Sequence, residues 1–378
     1  MNALNLWDLS EERVYVKIKN GVIKEFFNFA IKFAGSENKL ARLLGKNRIG
    51  NIWEFKNDKA LTPLNLIVNI LNIIPPEKGE EFKNKIENNI EQLRYGYGCA
   101  KSIKNPKLPI IFSPVLARIA GHVTGDGGIG MRRGYPVYYT NQCKSLTNEF
   151  KEDIIDVFGD VDAYEYYKDS DKTTMIRFPS IVGLILMKFL GPMVGELKHV
   201  PDVVLNSDNE TKIMFLRAVY DDEGCPSESS NRITFGISNE QVANAVKEML
   251  KEFGIRPGTI TKGEATERWS ANYQFGIFGR DDVRIFENEI GFNHPEKKIK
   301  LSNLVKSYEH KQNRYKNEEI KSLILETINR NNRLNTCELA KKLNRKPSYR
   351  FREQLYKLTN AGKIKTITIK RTRFYSLK

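Results

Sequence analysis

The chain has 378 residues, 61 Lys+Arg against 46 Asp+Glu, a net charge of +15 and 40% hydrophobic residues. That length predicts two or three domains at about 150 residues each, and the mixed composition excludes a wholly disordered chain. The basic excess points to a polyanionic partner, most simply nucleic acid.

Several classes drop out early. The longest apolar stretch, 181–190, is short and contains Lys188, so a transmembrane helix and a membrane partner are not expected. The first residues lack a basic start followed by an apolar run, so no secretory signal is read there. Cys99, Cys143, Cys225 and Cys337 lie far apart and form no CxxC. They read as small buried hydrophobes in a reducing, cytoplasmic setting. The four histidines (His122, His199, His294, His310) are scattered and do not form a zinc pattern.

Residues 1–105 read as a helical domain with a linker. Ser36 can cap a helix whose Leu40, Leu43 and Leu44 face inward, and Gly45 permits a tight turn. Ile49, Ile52 and Trp53 would then bury a second helix, leaving Arg48, Asn51 and Lys56 for DNA. This spacing is that of a helix-turn-helix, although a plain helical bundle shares it. Pro63 opens another apolar helix, and 79–93 reads as a charged helix in the connection to the next unit.

The middle of the chain, 106–308, is a tandem duplication. Ile119-Ala-Gly-His-Val-Thr-Gly-Asp-Gly127 and Leu216-Arg-Ala-Val-Tyr-Asp-Asp-Glu-Gly224 are both apolar helices ending in an acid followed by Gly. Asp126 and Glu223 stand 97 residues apart, too far for a solenoid repeat and suited to two half-domains. Ser113-Pro114 marks the start of the first helix and Ser207-Asp208-Asn209 that of the second. The first half continues with strand 137–140, helix 144–157, strands 163–167 and 174–178, and helix 181–190. The second continues with strand 232–238, helix 240–253, strands 259–262 and 273–279, and helix 281–290. The pattern is an α+β unit, αββαββα, repeated over about 106–200 and 201–308. Gly125-Asp-Gly-Gly-Ile-Gly130 matches GxGxxG by letter, but a helix rather than a strand precedes it, so a dinucleotide site is rejected.

Residues 309–378 hold the charge. From Arg330 onward there are fifteen Lys+Arg against two acids, Glu338 and Glu353. Helical spacing over 318–329, a capped helix after Asn335, a third helix over 347–360 and two alternating strands to the end make a winged helix-turn-helix in order and length. In that arrangement Tyr349, Arg350 and Arg352 face base edges, and Lys370, Arg371 and Arg373 meet phosphates.

The paired central motifs resemble the LAGLIDADG homing endonucleases, in particular the two-repeat, intein-type branch. Leu116-Ala-Arg-Ile-Ala-Gly-His-Val-Thr-Gly-Asp-Gly and Phe215-Leu-Arg-Ala-Val-Tyr-Asp-Asp-Glu-Gly carry the likeness. So do Gly195-Glu-Leu-Lys-His-Val-Pro201 and Ile290-Gly-Phe-Asn-His-Pro-Glu-Lys-Lys-Ile-Lys-Leu. The resemblance implies that the two helices pack side by side at a pseudo-two-fold axis. Gly121 and Gly125 supply the small face on one helix; the other offers Ala218 and then Asp222, a departure that predicts a looser lower contact.

By the same resemblance, Asp126 and Glu223 meet at the floor of a saddle of strands and hold Mg²⁺, or another divalent cation such as Mn²⁺, for phosphodiester hydrolysis. Each centre cuts one strand of double-stranded DNA, leaving short 3′ overhangs. A basic residue accompanies each centre in the family; the matching positions are Lys198, and Lys297 or Lys298, with Lys298 taken for the second site. Both repeats lie in one chain, which implies a monomer. The chain starts at Met1 and ends Ser376-Leu-Lys378, without the flanks of an intein, so it reads as free-standing. The alternative is a non-cleaving DNA-binding regulator of the WhiA type, which joins a LAGLIDADG-like domain to a helix-turn-helix. RNA-processing maturases are a more distant relation. His122 reads as a packed residue rather than a metal ligand.

Overall fold

Contacts divide the chain into two units, Met1–Val305 and Lys306–Lys378. The computed structural model describes residues 2–10, 12–47, 49–96, 101–131, 134–264, 271–309, 317–369 and 372–377.

The first third contains β1 (Ala3–Leu4), β2 (Val14–Ile18), α1 (Asn20–Ala34), α2 (Glu37–Leu43), α3 (Ile52–Lys56), β3 (Thr62–Pro63), α4 (Leu64–Leu71), α5 (Pro76–Glu87), β4 (Ile90–Tyr95), β5 (Ile103–Lys104) and β6 (Ile110–Ile111). Ser36 caps α2 through the Lys39 amide, as its position suggested. The rest of that segment departs from expectation. Asn51 takes a left-handed conformation and α3 has only five residues, a phase that turns Ile52 and Phe55 inward. Leu43 and Trp53 are left 55% and 65% exposed instead of buried. The expected helix over 79–93 stops at Glu87, because 90–95 is drawn into a sheet against β2, where tertiary pairing overrides local helix preference.

The central region begins with α6 (Pro114–Thr124), β7 (Gly127–Ile129), β8 (Val137–Asn141), α7 (Lys144–Phe158), β9 (Asp160–Val161), β10 (Tyr164–Lys168), β11 (Thr173–Phe178), α8 (Ser180–Leu190) and α9 (Asp202–Leu205). It continues with α10 (Asn209–Glu223), β12 (Gly224–Ser227), β13 (Arg232–Ile237), α11 (Glu240–Glu252), β14 (Thr261–Gly263), β15 (Asn272–Phe278), α12 (Arg280–Ile285), a π-helical turn over Phe286–Ile290, and α13 (Pro295–Glu309). Two four-stranded antiparallel sheets result, ordered β10-β11-β8-β7 and β12-β13-β15-β14. Numbered within each repeat, both sheets run first, second, fourth, third, so the duplication in sequence is a duplication in topology.

Each half packs an aromatic cluster behind its sheet. His122, Tyr139, Phe150 and Phe178 meet in the first; Tyr220, Phe235, Phe286 and Phe292 meet in the second. Burial on one face makes the strands alternate: Thr174, Ile176 and Phe178 of β11 are buried while Arg177 is exposed. Two joints tie the first third to this core. β1 pairs with β6, the segment that leads straight into α6, and β9 completes the five-stranded sheet β3-β2-β4-β5-β9.

In the second unit lie α14 (Asn317–Asn331), β16 (Leu334–Asn335), α15 (Thr336–Lys342), α16 (Tyr349–Asn360), β17 (Ile364–Ile369) and β18 (Thr372–Leu377). Asn335 and Glu338 form a reciprocal capping box at α15. Ser348 caps α16 through the Phe351 amide, so that helix opens after Pro347 rather than on it. Ile324, Ile328, Leu339, Phe351, Leu355 and Tyr375 form its own core. Among the described residues no single helix is long and apolar enough to cross a membrane. Cys225 and Cys337 are exposed and Cys143 is partly so, not the buried hydrophobes expected of them; Cys99 lies outside the described residues.

Candidate functional site

The site is built where α6 and α10 end. Ser113 opens α6 by accepting from the Leu116 amide, and Asp208 opens α10 by accepting from the Thr211 amide. The two helices approach so closely that a Cβ on Gly121 would lie 2.6 Å from the Phe215 carbonyl oxygen and 2.7 Å from Ala218 Cβ. One turn on, a Cβ on Gly125 would lie 2.6 Å from Asp222 Oδ2. The lower contact is therefore as tight as the upper one, contrary to the expectation raised by Asp222. The acid fits because it meets a residue without a side chain.

This packing brings Asp126 and Glu223 to one place. Asp126 is open to solvent and Glu223 half-buried, yet protein atoms crowd both carboxyl groups enough to shift them. Burial, then the charge of Asp222, pushes Asp126 up to about 6. Burial, then the charges of Asp126 and Asp222, pushes Glu223 up to about 7. Two acids at helix C-termini also oppose the helix dipoles.

A lysine answers that opposition in each half. Lys198 Nζ donates to the carbonyl oxygens of Thr124, Gly125 and Gly127 at 3.1, 2.8 and 2.8 Å. Lys297 Nζ donates to those of Asp221 and Asp222 at 2.6 and 3.1 Å. Burial lowers both ammonium groups below the ordinary lysine range, against the pull of the surrounding acids. Lys297, not Lys298, is thus the counterpart of Lys198. Lys298 is exposed and lines a separate 410 Å³ cleft with Arg118, Arg217 and Glu149. Sequence spacing alone could not separate neighbours; the helical phase of α13 does.

Sequence reading also missed the network under Asp126. Asn141 Nδ2 donates to Asp126 Oδ2 at 2.9 Å. Tyr139 donates to Asp222 Oδ1 at 2.6 Å, and His122 Nδ1 lies 3.2 Å from Asp222 Oδ2. His122 is fully buried, as its reading as a packed residue requires. Burial alone would lower it, but the charge and hydrogen bond of Asp222 prevail and its pKa is raised. Asp221, fixed by the Asn293 and His294 amides, is pushed up by burial to about 6.

Among the described residues no group of three or more His, Cys, Asp or Glu side chains could hold a metal ion. The two carboxylates nevertheless suit a hard cation. No hydrogen bond or ion pair between described residues reaches the Glu223 carboxylate, and Asp126 accepts from Asn141 alone. The nearby ammonium groups are spent on carbonyls. Carboxylate oxygens with excess negative charge and open coordination fit Mg²⁺ or Mn²⁺ once other ligands, such as phosphate and water, complete the shell.

Of the residues expected to meet DNA, Tyr349 is 82% exposed on the first turn of α16. Arg352 is exposed on the same helix and Arg373 on β18. Arg350 lies in α16, but its side chain is outside the described set. Arg48, Lys370 and Arg371 lie outside the described residues altogether.

The architecture is thus a two-repeat α+β protein whose repeats meet through a pair of helices ending in acids. Residues 210–291 match the family model described as a LAGLIDADG-like domain. The chain carries a LAGLIDADG-like domain, within its second repeat. Among curated proteins it is similar to a glutamine–fructose-6-phosphate aminotransferase (isomerizing) of Methanocaldococcus jannaschii, 23% identical over 208 residues. That match covers 53% of this chain and 18% of the aminotransferase, so the chain spans less than a fifth of that relative. Among solved structures it is similar to the homing endonuclease I-DmoI in complex with DNA and Ca (18% identity, TM-score 0.38, 51% of this chain and 98% of that one). It is also similar to full-length DUF199/WhiA from Thermatoga maritima (13% identity, TM-score 0.36, 66% and 90%). At such scores neither likeness bears on activity.

Proposed function

We propose that the protein is a metal-dependent, site-specific double-stranded DNA endonuclease. The observation that supports this most is the pairing of Asp126 with Glu223 at the ends of α6 and α10, each helix end tied down by its own lysine. A cation held by each carboxylate supplies charge neutralisation at the scissile phosphate and acidifies a nearby water. The chain's own residues do the rest. Gly121 and Gly125 let the helices close until the two acids share one floor. Lys198 and Lys297 fix the last turns, and hence where the carboxylates sit. The second unit, rich in Lys and Arg, extends the contact through Tyr349, Arg350, Arg352, Lys370, Arg371 and Arg373, and linkage to the core adds affinity. Arg48 is assigned to the same polyanion. Both centres lie in one chain, so a monomer suffices.

A second reading, a non-cleaving DNA-binding regulator, draws on the fact that no three-ligand group among the described residues could hold a metal without help from outside. One experiment separates the two. Duplexes that bind the full chain are selected from a randomised pool in Ca²⁺ and then transferred to Mg²⁺ or Mn²⁺. The nuclease reading expects a double-strand cut, retained binding but lost cutting in Asp126→Asn, and the same in Glu223→Gln. Tight binding with no cut in either metal would leave the regulator as the better account.

A further inference from the structure

The two halves differ at one buried position. Gly125 and Asp222 each precede the carboxylate of their own repeat, and they face each other across the pseudo-two-fold axis. The Asp222 side chain is 0% exposed. Its oxygens meet Tyr139 Oη at 2.6 Å, His122 Nδ1 at 3.2 Å, the Asp126 amide at 3.3 Å and Asn141 Nδ2 at 3.4 Å. Every one of these partners belongs to the first repeat. Asn141 also donates to Asp126 Oδ2 at 2.9 Å, so Asp126 is held at its main chain directly and at its carboxylate through Asn141. Because Gly125 has no side chain, it offers nothing in return to Glu223, and no hydrogen bond between described residues reaches that carboxylate.

We propose that Asp222 is a positioning residue for Asp126 alone, so that one of the two centres is preorganised by a buried hydrogen-bond network and the other is not. The chemistry of the position fits only a carboxylate. Three donors converge on it with His122 Nδ1 beside them, and an ionised carboxylate is acceptor-only, whereas an amide would aim its own N–H₂ at one of them. Outer partners of this kind set ligand geometry, and their loss costs about 10–100-fold in metal affinity or activity. The two DNA strands therefore differ in how far their cutting depends on Asp222. This rests on the endonuclease reading above.

The test uses the full chain and a duplex recovered by the selection described, with a different label on each strand. Asp222→Asn and Asn141→Ala are compared with wild type. Asn141→Ala leaves the helix contact untouched and so reports even if Asp222→Asn weakens the fold. Read well above pH 7, where both acids are ionised and loss of the Asp222 charge no longer alters the state of Glu223, both variants are expected to slow cutting of the same strand by about tenfold or more, with little change on the other, so that nicked duplex accumulates. Electron paramagnetic resonance of Mn²⁺ on the protein–DNA complex should show two bound ions in wild type and one in the variants. Equal slowing of both strands, or none, would overturn the positioning role while wild-type cutting kept the endonuclease reading intact. A wild type that neither cuts nor binds Mn²⁺ on DNA overturns both.

Discussion

Lys297 donates its ammonium to the carbonyl oxygen of Asp221 at 2.6 Å, at the end of α10. Lys198 stands in the same relation to Thr124 at the end of α6, at 3.1 Å. Each helix places an acid at the pole where its dipole is already negative, and each brings a cation to the orphan carbonyls beside that acid. The symmetry of the site is therefore carried by lysines as much as by carboxylates.

Lys297→Met should lower the thermal midpoint, because buried carbonyls left without a donor cost about 1–3 kcal/mol, and it should slow cutting. Lys298→Met, on the exposed side of α13, should change neither. Thermal unfolding and duplex cleavage of the two variants check this, and equal behaviour would reject the assignment of Lys297.

Activity should rise with pH through about 6 to 7, because a cation needs Asp126 and Glu223 ionised, and their pKa values lie at about 6 and about 7. Lys198→Met removes a cation that lowers both, so the acid limb of the rate profile should move to higher pH. Stability without metal runs the other way. Asp126, Asp221, Glu223 and His122 all have raised folded pKa values. The stability they confer is fully present below the unfolded values and is lost as pH climbs through the folded ones. In EDTA the thermal midpoint should fall between pH 4 and 7, the carboxylate window set by ordinary values of 3.8 and 4.5 and folded values near 6 and 7. Added Mg²⁺ with bound duplex should reduce that fall. A midpoint rising over the same range in EDTA would show that these carboxyls are not raised.

Gly121→Leu should destabilise by at least about 1–3 kcal/mol through overpacking, since even a Cβ there would sit 2.6 Å from the Phe215 carbonyl. Gly50→Ala, where a Cβ meets nothing within 4 Å, serves as the control. Chemical denaturation of both decides it; equal midpoints would mean that the helices have room to part.

Removing 306–378 should flatten the salt dependence of duplex binding. Fifteen of the 61 Lys+Arg lie from Arg330 onward, and each lost phosphate contact removes about 0.9 from the slope of log affinity against log salt. Titrations at several salt concentrations measure it, and an unchanged slope would show that this unit does not touch phosphate.

Much of the central fold could be read from the sequence because local and tertiary preferences agree there. Ser113 and Asp208 cap the helices that their residue types announce, and β8, α7 and β11 follow one-faced burial. The αββαββα pattern calls for a strand after each acid but does not locate it: Gly127-Gly-Ile and Gly224-Cys-Pro-Ser have no strand character of their own and form by closing on β8 and β13. The same holds at the site. Asp126 and Glu223 stand out by motif, but Asp222 looked like an intrusion into a small-residue contact. Its partners Tyr139 and Asn141 come from a strand about eighty residues away, and no periodicity carries that information. Trp53 was read inward because the left-handed Asn51, which rotates α3, leaves no mark in hydrophobic spacing.

The short pairings of Ala3 with Ile111 and of Ile103 with Val161 mean that the duplicated core is not a detachable cassette. Trimming the protein at residue 106 would strip β6 and β9 of the strands they pair with, β1 and β5, leaving unpaired ladder groups that invite self-association. Grafts of this duplicated core onto other scaffolds should carry the leading hundred residues with them.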